Sequence, residues 1–291
     1  KGNAIPAAYD NFFNTVMSYS ARTSGDSGTA SFLPTTPMYY DLLAIQALYG
    51  RNAAHNAGDT TFTFNEGQRY FQTIDDAGGR DRIIYSGNQG VVINLAEGKF
   101  SSLSAPITFD NGSSKSTVAI GPQTVIEVAY GGGGNDKLNG NAADNALYGR
   151  GGADQLAGGS GKDNLNGGNG NDRLFGSSGS DILKGGAGMD RFYFNVPELT
   201  IGSVDRITDF NHSADTIYLS KSAFSTIARG TLKAASFVLG PTAQDAGDRI
   251  LYNKADGSLY YDADGTGSAA AAKFASVAAG VILNASDIII Y

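Results

Sequence analysis

Residues 131–193 repeat every nine residues, and no other feature of the chain constrains its fold as strongly. The units read GGGGNDKLN, GNAADNALY, GRGGADQLA, GGSGKDNLN, GGNGNDRLF, GSSGSDILK and GGAGMDRFY. Position six is Asp136, Asn145, Asp154, Asp163, Asp172, Asp181 and Asp190. Position eight is Leu138, Leu147, Leu156, Leu165, Leu174, Leu183 and Phe192. Six positions form a turn, where glycine permits left-handed backbone and lets carbonyls converge. Three form a strand whose apolar residue enters a thin core. Two units then complete one coil of a parallel β-roll.

The position-six Asp calls for a cation. Stacked coils bring equivalent carboxylates to about 4.8 Å, where like charges repel by roughly 1 kcal/mol in water and more at lower dielectric. A hard cation reverses that sign, and paired carboxylates with turn carbonyls suit Ca²⁺ better than Mg²⁺. A flexible Gly/Asp-rich linker would not keep Leu and Asp in phase over the whole array. The second unit departs from the pattern, with Asn145 for Asp and Ala143 for the fourth glycine, so its site is expected to be weak or missing.

These units resemble the RTX nonapeptides, GGxGxDxLx, of proteins exported by type I secretion. The resemblance implies calcium ligands at Gly132, Gly134 and Asp136; Gly149, Gly151 and Asp154; and Gly159, Gly161 and Asp163. It continues with Gly168, Gly170 and Asp172; Gly176, Ser178 and Asp181; and Gly186, Gly188 and Asp190.

Composition narrows the function. The chain has no Cys, which excludes disulfides and thiolate metal sites. Its net charge of −7 argues against a general nucleic-acid-binding surface. No uncharged apolar run is long enough to insert in a membrane, and the nearest, Ser268–Ala285, is Ala-rich and contains Lys273. Residue 1 is Lys, which points to a fragment or a processed product.

Ahead of the repeats, "NTVMSYS" (14–20) precedes "TPMYYDLLAIQALYG" (36–50). The second stretch predicts a helix with Thr36 as N-cap, Pro37 at its first position and Gly50 as its stop. Met38, Leu42, Ile45 and Leu48/Tyr49 would form its apolar face. In this order, ahead of the RTX array, the two stretches resemble the end of the catalytic domain of serralysins, secreted bacterial zinc metalloproteases of the metzincin group. The resemblance implies that Met17 lies in the turn beneath a zinc ion. It also implies that Tyr19 ligates the zinc or hydrogen-bonds the tetrahedral intermediate. The family's HExxHxxGxxH, which supplies zinc ligands and general base, does not occur in this chain. His55 and His212 read as loop residues. The expectation is that the zinc helix preceded Lys1 and that the chain alone is inactive and binds no zinc tightly.

Residues 51–130 read as short strands, "TFTF", "RIIY", "VVINL" and "TVIEVAY". Here the serralysin resemblance implies a further calcium site from Asn56, Gly58, Thr60, Asp76, Gly78, Gly79 and Asp81, although Asp76 and Asp81 also suit plain turns. It places Val125 and Glu127 at the start of the roll, and a lone carboxylate in "VIEVAY" independently wants a partner. Residues 194–291 return to strand patterns, with a helix expected near 269–279. Asp262 and Asp264 fit either a calcium site or a hairpin turn. The ending Asp287–Tyr291 resembles the serralysin export tail and equally suits a closing strand.

The fold expected is mainly β: a parallel β-roll merged with a β-sandwich, plus a short helical remnant of a metzincin catalytic domain. The divisions expected are residues 1–50, 51–130, 131–193 and 194–291. The function expected is the calcium-binding, folding and type I secretion region of a secreted zinc metalloendopeptidase. Its partners would be a protein substrate, through the catalytic domain, and the exporter. A non-enzymatic RTX surface or matrix-binding protein is the alternative, and the segment around Met17 and Tyr19 counts against it.

Overall fold

A computed structural model describes residues 36–103, 107–108, 114–116, 118–195 and 203–291. Met17 and Tyr19 lie outside the described residues. The chain divides into two compact units, Lys1–Gly132 and Gly133–Tyr291.

In the first unit the helix spans Tyr39–Tyr49, starting two residues later than Thr36 and Pro37 suggest. Asp41 Oδ2 accepts from the Met38 N–H at 2.9 Å and so covers an open helical donor. Thr36 does not cap. Its hydroxyl accepts from the Thr73 N–H at 2.8 Å and ties the chain to strand Gln72–Ile74. Gly50, at φ 79°, ends the helix as expected. The expected apolar face is not buried by the described residues: Met38 is, but Ile45, Leu48 and Tyr49 are exposed. The helix is anchored by its first turn rather than along a stripe.

Strands Thr61–Asn65, Arg82–Ser86 and Val128–Tyr130 lie parallel, with Thr61, Arg82 and Val128 in register. Phe64, Ile83 and Ala129 point inward from them. A smaller sheet joins Gln72–Ile74, Val118–Ile120 and Phe100–Ser101.

The second unit is a two-sheet parallel roll. One sheet stacks Lys137–Asn139, Gln155–Ser160, Arg173–Ser178 and Arg191–Phe194. The other stacks Ala146–Gly151, Asn164–Asn169 and Ile182–Ala187. Each strand pairs with the one 18 residues away, because two nonapeptides make one coil. Every position-eight residue from Leu138 to Phe192 is fully buried, so the core is one apolar side chain deep per unit.

The parallel ladder does not stop at residue 193. Asp205–Ile207 pairs with Ile182–Ala187, and Thr216–Leu219 pairs with Arg191–Phe194. Ile288–Ile290, near the C-terminus, then pairs in parallel with Thr216–Leu219. Ile207, Ile217 and Ile288 continue the buried Leu rows. The first sheet also takes on Gly230–Thr231. The second runs on through Ala272–Ser276, Ser258–Tyr261, Ile250–Asn253 and Phe237–Leu239.

The Ala-rich stretch expected to be helical is this strand Ala272–Ser276. Phe274 and Ala275 are fully buried between two neighbouring strands, and that burial overrides alanine's helical preference. The short C-terminal helical element is a single turn, Ala285–Asp287, capped by Asp287 Oδ2 accepting from the Asn284 N–H at 2.8 Å.

Candidate calcium sites

Every position-six Asp is buried, and its two oxygens do different work. Oδ1 reaches the backbone of the preceding coil: Asp154 Oδ1 accepts from the Asp136 N–H at 2.7 Å, and Asp172 Oδ1 from the Asp154 N–H at 2.8 Å. Asp190 repeats this on Asp172, and in the other column Asp163 and Asp181 do the same on Asn145 and Asp163. Half of each of these carboxylates is thus a staple between coils, a role that needs no cation.

Oδ2 is left over. Among the described residues, Asp154, Asp163, Asp172, Asp181 and Asp190 each keep Oδ2 buried with no hydrogen-bond partner. Withdrawal from water pushes Asp154 and Asp163 up from 3.8 to about 7, and Asp172 and Asp190 to about 6. Neighbouring carboxylates add to the rise at Asp154, Asp163 and Asp190, and hydrogen bonds from the preceding coil work against it. A row of buried acceptors without donors is costly as it stands. A cation coordinated by oxygen cancels that cost, so the residues fit calcium.

The glycines make room for this arrangement. A Cβ at Gly149 would lie 2.1 Å from Asp154 Oδ2, and one at Gly170 would lie 1.9 Å from the Gly152 carbonyl oxygen of the preceding coil. The first glycine lets the carboxylate fold beneath its own turn, and the second lets successive turns stack. In the third and sixth units, Arg150 and Ser177 adopt positive φ together with Gly152 and Gly179. Gly149 and Gly176 lie over their own Asp instead. Gly159, Gly161, Gly168, Gly186 and Gly188 also take positive φ. The Ser178 carbonyl accepts from the Gly161 N–H at 3.1 Å. Asn145 differs from its Asp counterparts: its Oδ1 accepts from the Asn141 N–H at 2.8 Å, closing its own turn.

Two members of the columns were not recognised from sequence. Asp205 Oδ1 accepts from the Asp181 N–H at 2.9 Å, and its Oδ2 is buried and unpartnered. Burial, then the nearby Asp181 charge, pushes Asp205 to about 8. Asp215 Oδ1 accepts from the Asp190 N–H at 3.0 Å, but its Oδ2 is taken by the Asn211 N–H at 2.8 Å, so that column closes there. The signal was present, since "VDRI" and "ADTIYL" keep the Asp-x-apolar core of "MDRFYF". Loss of the glycine turns and of the nine-residue spacing hid it. Asp209 is also placed by the fold, accepting from the Gly185 and Gly186 N–H groups at 3.0 and 2.9 Å.

The first unit contains the same device. Asp81 Oδ1 accepts from the Thr60 N–H, and the Asp81 N–H donates to Glu127 Oε2, both at 2.7 Å. Asp76 and Asp81 each leave Oδ2 buried and unpartnered. Burial, with Asp76 and Glu127 nearby, pushes Asp81 to about 6. The loops bearing the implied ligands meet: a Cβ at Gly79 would collide with Gly58, Gly78 has positive φ, and Asn56 Nδ2 donates to the Asp75 carbonyl at 3.0 Å. Val125 is exposed beside this region.

His55 and His212 are exposed loop residues. Among the described residues no group of three or more His, Asp or Glu side chains gathers to hold a metal. Each candidate site therefore needs backbone oxygen as well as carboxylate. Asp262 Oδ1 accepts from the Asp264 and Gly265 N–H groups at 3.2 and 2.8 Å, which is the turn reading, while Asp264 Oδ1 stays buried and unpartnered.

The family described as Peptidase M10 serralysin C terminal matches residues 40–290. A serralysin of Photorhabdus luminescens is 36% identical over 146 residues, 46% of this chain and 28% of that protein. Metalloprotease AprA of Pseudomonas entomophila is 35% identical over 150 residues, 46% of this chain and 29% of that protein. The chain thus matches under a third of the length of these relatives. The solution structure of the AlgE6R3 subunit of an Azotobacter vinelandii mannuronan C5-epimerase is 28% identical, covering 58% of this chain and 81% of that one, at a TM-score of 0.24. The family match, which runs from the helix to the last strand, establishes that the chain belongs to the serralysin C-terminal family of M10 peptidases.

Proposed function

We propose that this chain is the calcium-dependent folding and export region of a secreted zinc metalloendopeptidase. The observation that carries the reading is the column of buried, unpartnered Asp Oδ2 atoms under stacked turns. When bound, calcium supplies charge neutralisation to those oxygens. Asp154, Asp163, Asp172, Asp181, Asp190 and Asp205 would hold it in the roll, with turn carbonyls. Asp76 and Asp81 would hold it in the first unit. The Oδ1 staples orient each carboxylate beforehand, and the glycine turns keep side chains out of the space beneath it.

Extracellular modules bind calcium at about 10⁻⁴–10⁻³ M, far above cytosolic levels. The roll then stays unfolded before export and folds outside, with metal binding and folding as one event. Residues 287–291 would serve as the type I export tail, and the medium is the proposed location. No helix among the described residues is long and apolar enough to cross a membrane. Zinc, Met17, Tyr19 and peptide-bond hydrolysis belong to the proposed whole protease, with protein substrates as its partners.

The test is far-UV circular dichroism of the full chain, titrated from chelator to millimolar calcium. A cooperative gain of β signal is expected. Asp172→Asn, which keeps the Oδ1 staple and loses the charge, should raise the calcium midpoint severalfold. Asn145→Ala should barely move it. A roll fully formed in chelator would refute the reading.

A further inference from the structure

The roll carries a basic, aromatic outer face that the calcium sites do not use. On the sheet that begins with Lys137–Asn139, positions seven and nine of each repeat point away from the core. Position seven gives Lys137, Arg173 and Arg191, all exposed, on the first, third and fourth rungs. None of the three is ion-paired with a carboxylate among the described residues. Beside them, position nine gives Phe175 and Tyr193, followed on the next rung by Tyr218. Their rings stack along the sheet with centroids 4.3 and 4.7 Å apart, and the Arg191 guanidinium lies 5.9 Å from the Tyr218 ring centre. In a chain of net charge −7, an open row of cations on a flat sheet needs a separate explanation.

We propose that this face binds a linear polysaccharide carrying one carboxylate per ring, laid across the strands. Rungs of a sheet recur at about 4.8 Å. Successive rings of an extended hexuronate chain turn to opposite sides, so its same-side carboxylates recur at roughly two rungs, the separation of Lys137 from Arg173, and the arginine forks take carboxylates bidentately. An extended acidic peptide places same-side charges about 6.7 Å apart and falls out of step with the rungs. Single-stranded nucleic acid needs open aromatic faces for its bases. Here the stacked faces of Phe175, Tyr193 and Tyr218 cover one another and leave ring edges, and Tyr291 lies edge to face with Tyr193 at 5.5 Å. Those edges, with the Tyr193 and Tyr218 hydroxyls, suit sugar hydroxyls between the charged groups.

The experiment is titration calorimetry of the full chain in saturating calcium with a galacturonate hexamer, too short to gel. Parallel arms use a neutral glucose hexamer, a glutamate hexamer and an oligothymidylate. Binding of the galacturonate alone, weakened by added salt, is expected. R173Q/R191Q should weaken it by about tenfold for each arginine replaced. R206Q, on the other sheet, should leave it unchanged. If R173Q/R191Q loses its β signal, R173K/R191K takes its place, since lysine keeps the charge and removes the fork, and severalfold weaker binding is expected. No binding by the parent chain, or undiminished binding by a folded double variant, would overturn the proposal. So would equal binding of the glutamate hexamer or the oligothymidylate.

Discussion

The nonapeptide roll and the segment after it are built on the same parallel ladder but are held together differently. Between Lys137 and Phe192 each unit contributes one inward apolar residue, and the turns carry buried carboxylate oxygens that no donor satisfies. Beyond the last repeat the core thickens. Phe194, Phe224, Phe274 and Tyr261 meet edge to face, with centroids 5.0–5.4 Å apart. The buried acids there are largely spent on backbone: Asp248 Oδ2 accepts from the Gln244 and Asp245 N–H groups, and Asp287 caps a turn. One region leaves its polar cost unmet by its own donors, the role proposed for calcium, and the other largely offsets it internally. The two regions should therefore respond in opposite ways to metal and to core mutation.

The largest contrast is expected on calcium removal. Hydrogen exchange of the full chain in chelator should show amides of strands 155–160 and 164–169 exchanging as in an unfolded chain. Amides of Ile250–Asn253 and Ser258–Tyr261, backed by the aromatic cluster, should keep measurable protection. Uniform loss across both regions would show that the aromatic core does not stand without the roll.

Next in size is Phe274→Ala, which opens a cavity where Phe194 and Phe224 meet. It should cost about 3–5 kcal/mol, measured by denaturant unfolding at saturating calcium, and added calcium should not restore it. An unchanged midpoint would mean that this cluster does not hold the region.

The smallest expected effect is that of pH. In the metal-free fold Asp154 and Asp163 hold protons up to about pH 7, against 3.8 unfolded. That contribution to stability is fully present below pH 3.8 and is lost as pH rises through about 7. The metal-free roll is thus favoured by acid. In chelator, the folding equilibrium of the roll should rise by roughly tenfold for each such carboxylate between pH 8 and pH 6, read as amide protection of strands 155–160 and 164–169. The protection of Ile250–Tyr261, followed by exchange, should move little. Protection of the roll that does not change with pH in chelator would show that these carboxylates do not hold protons in the metal-free fold.

The sequence alone carries every feature that rests on local repetition. The period of nine set the coil, Leu at position eight set the core, and Asp at position six set the columns of buried carboxylates, since each depends only on neighbours 9 or 18 residues away. Asn145 was legible as the departure from the Asp columns for the same reason. The remaining features came from tertiary contacts. Asp205 and Asp215 join the Asp columns only because strands 205–207 and 216–219 dock on the roll after irregular connections, and spacing in the chain does not record that. Ala272–Ser276 became a strand because Phe274 found a buried place between two strands. Thr36 lost its capping role to Thr73, 37 residues away. The division of labour within each carboxylate was equally hidden. An Asp in a sequence is one charge, and only the stacking of one coil on the next assigns Oδ1 to a backbone N–H and leaves Oδ2 buried without a donor.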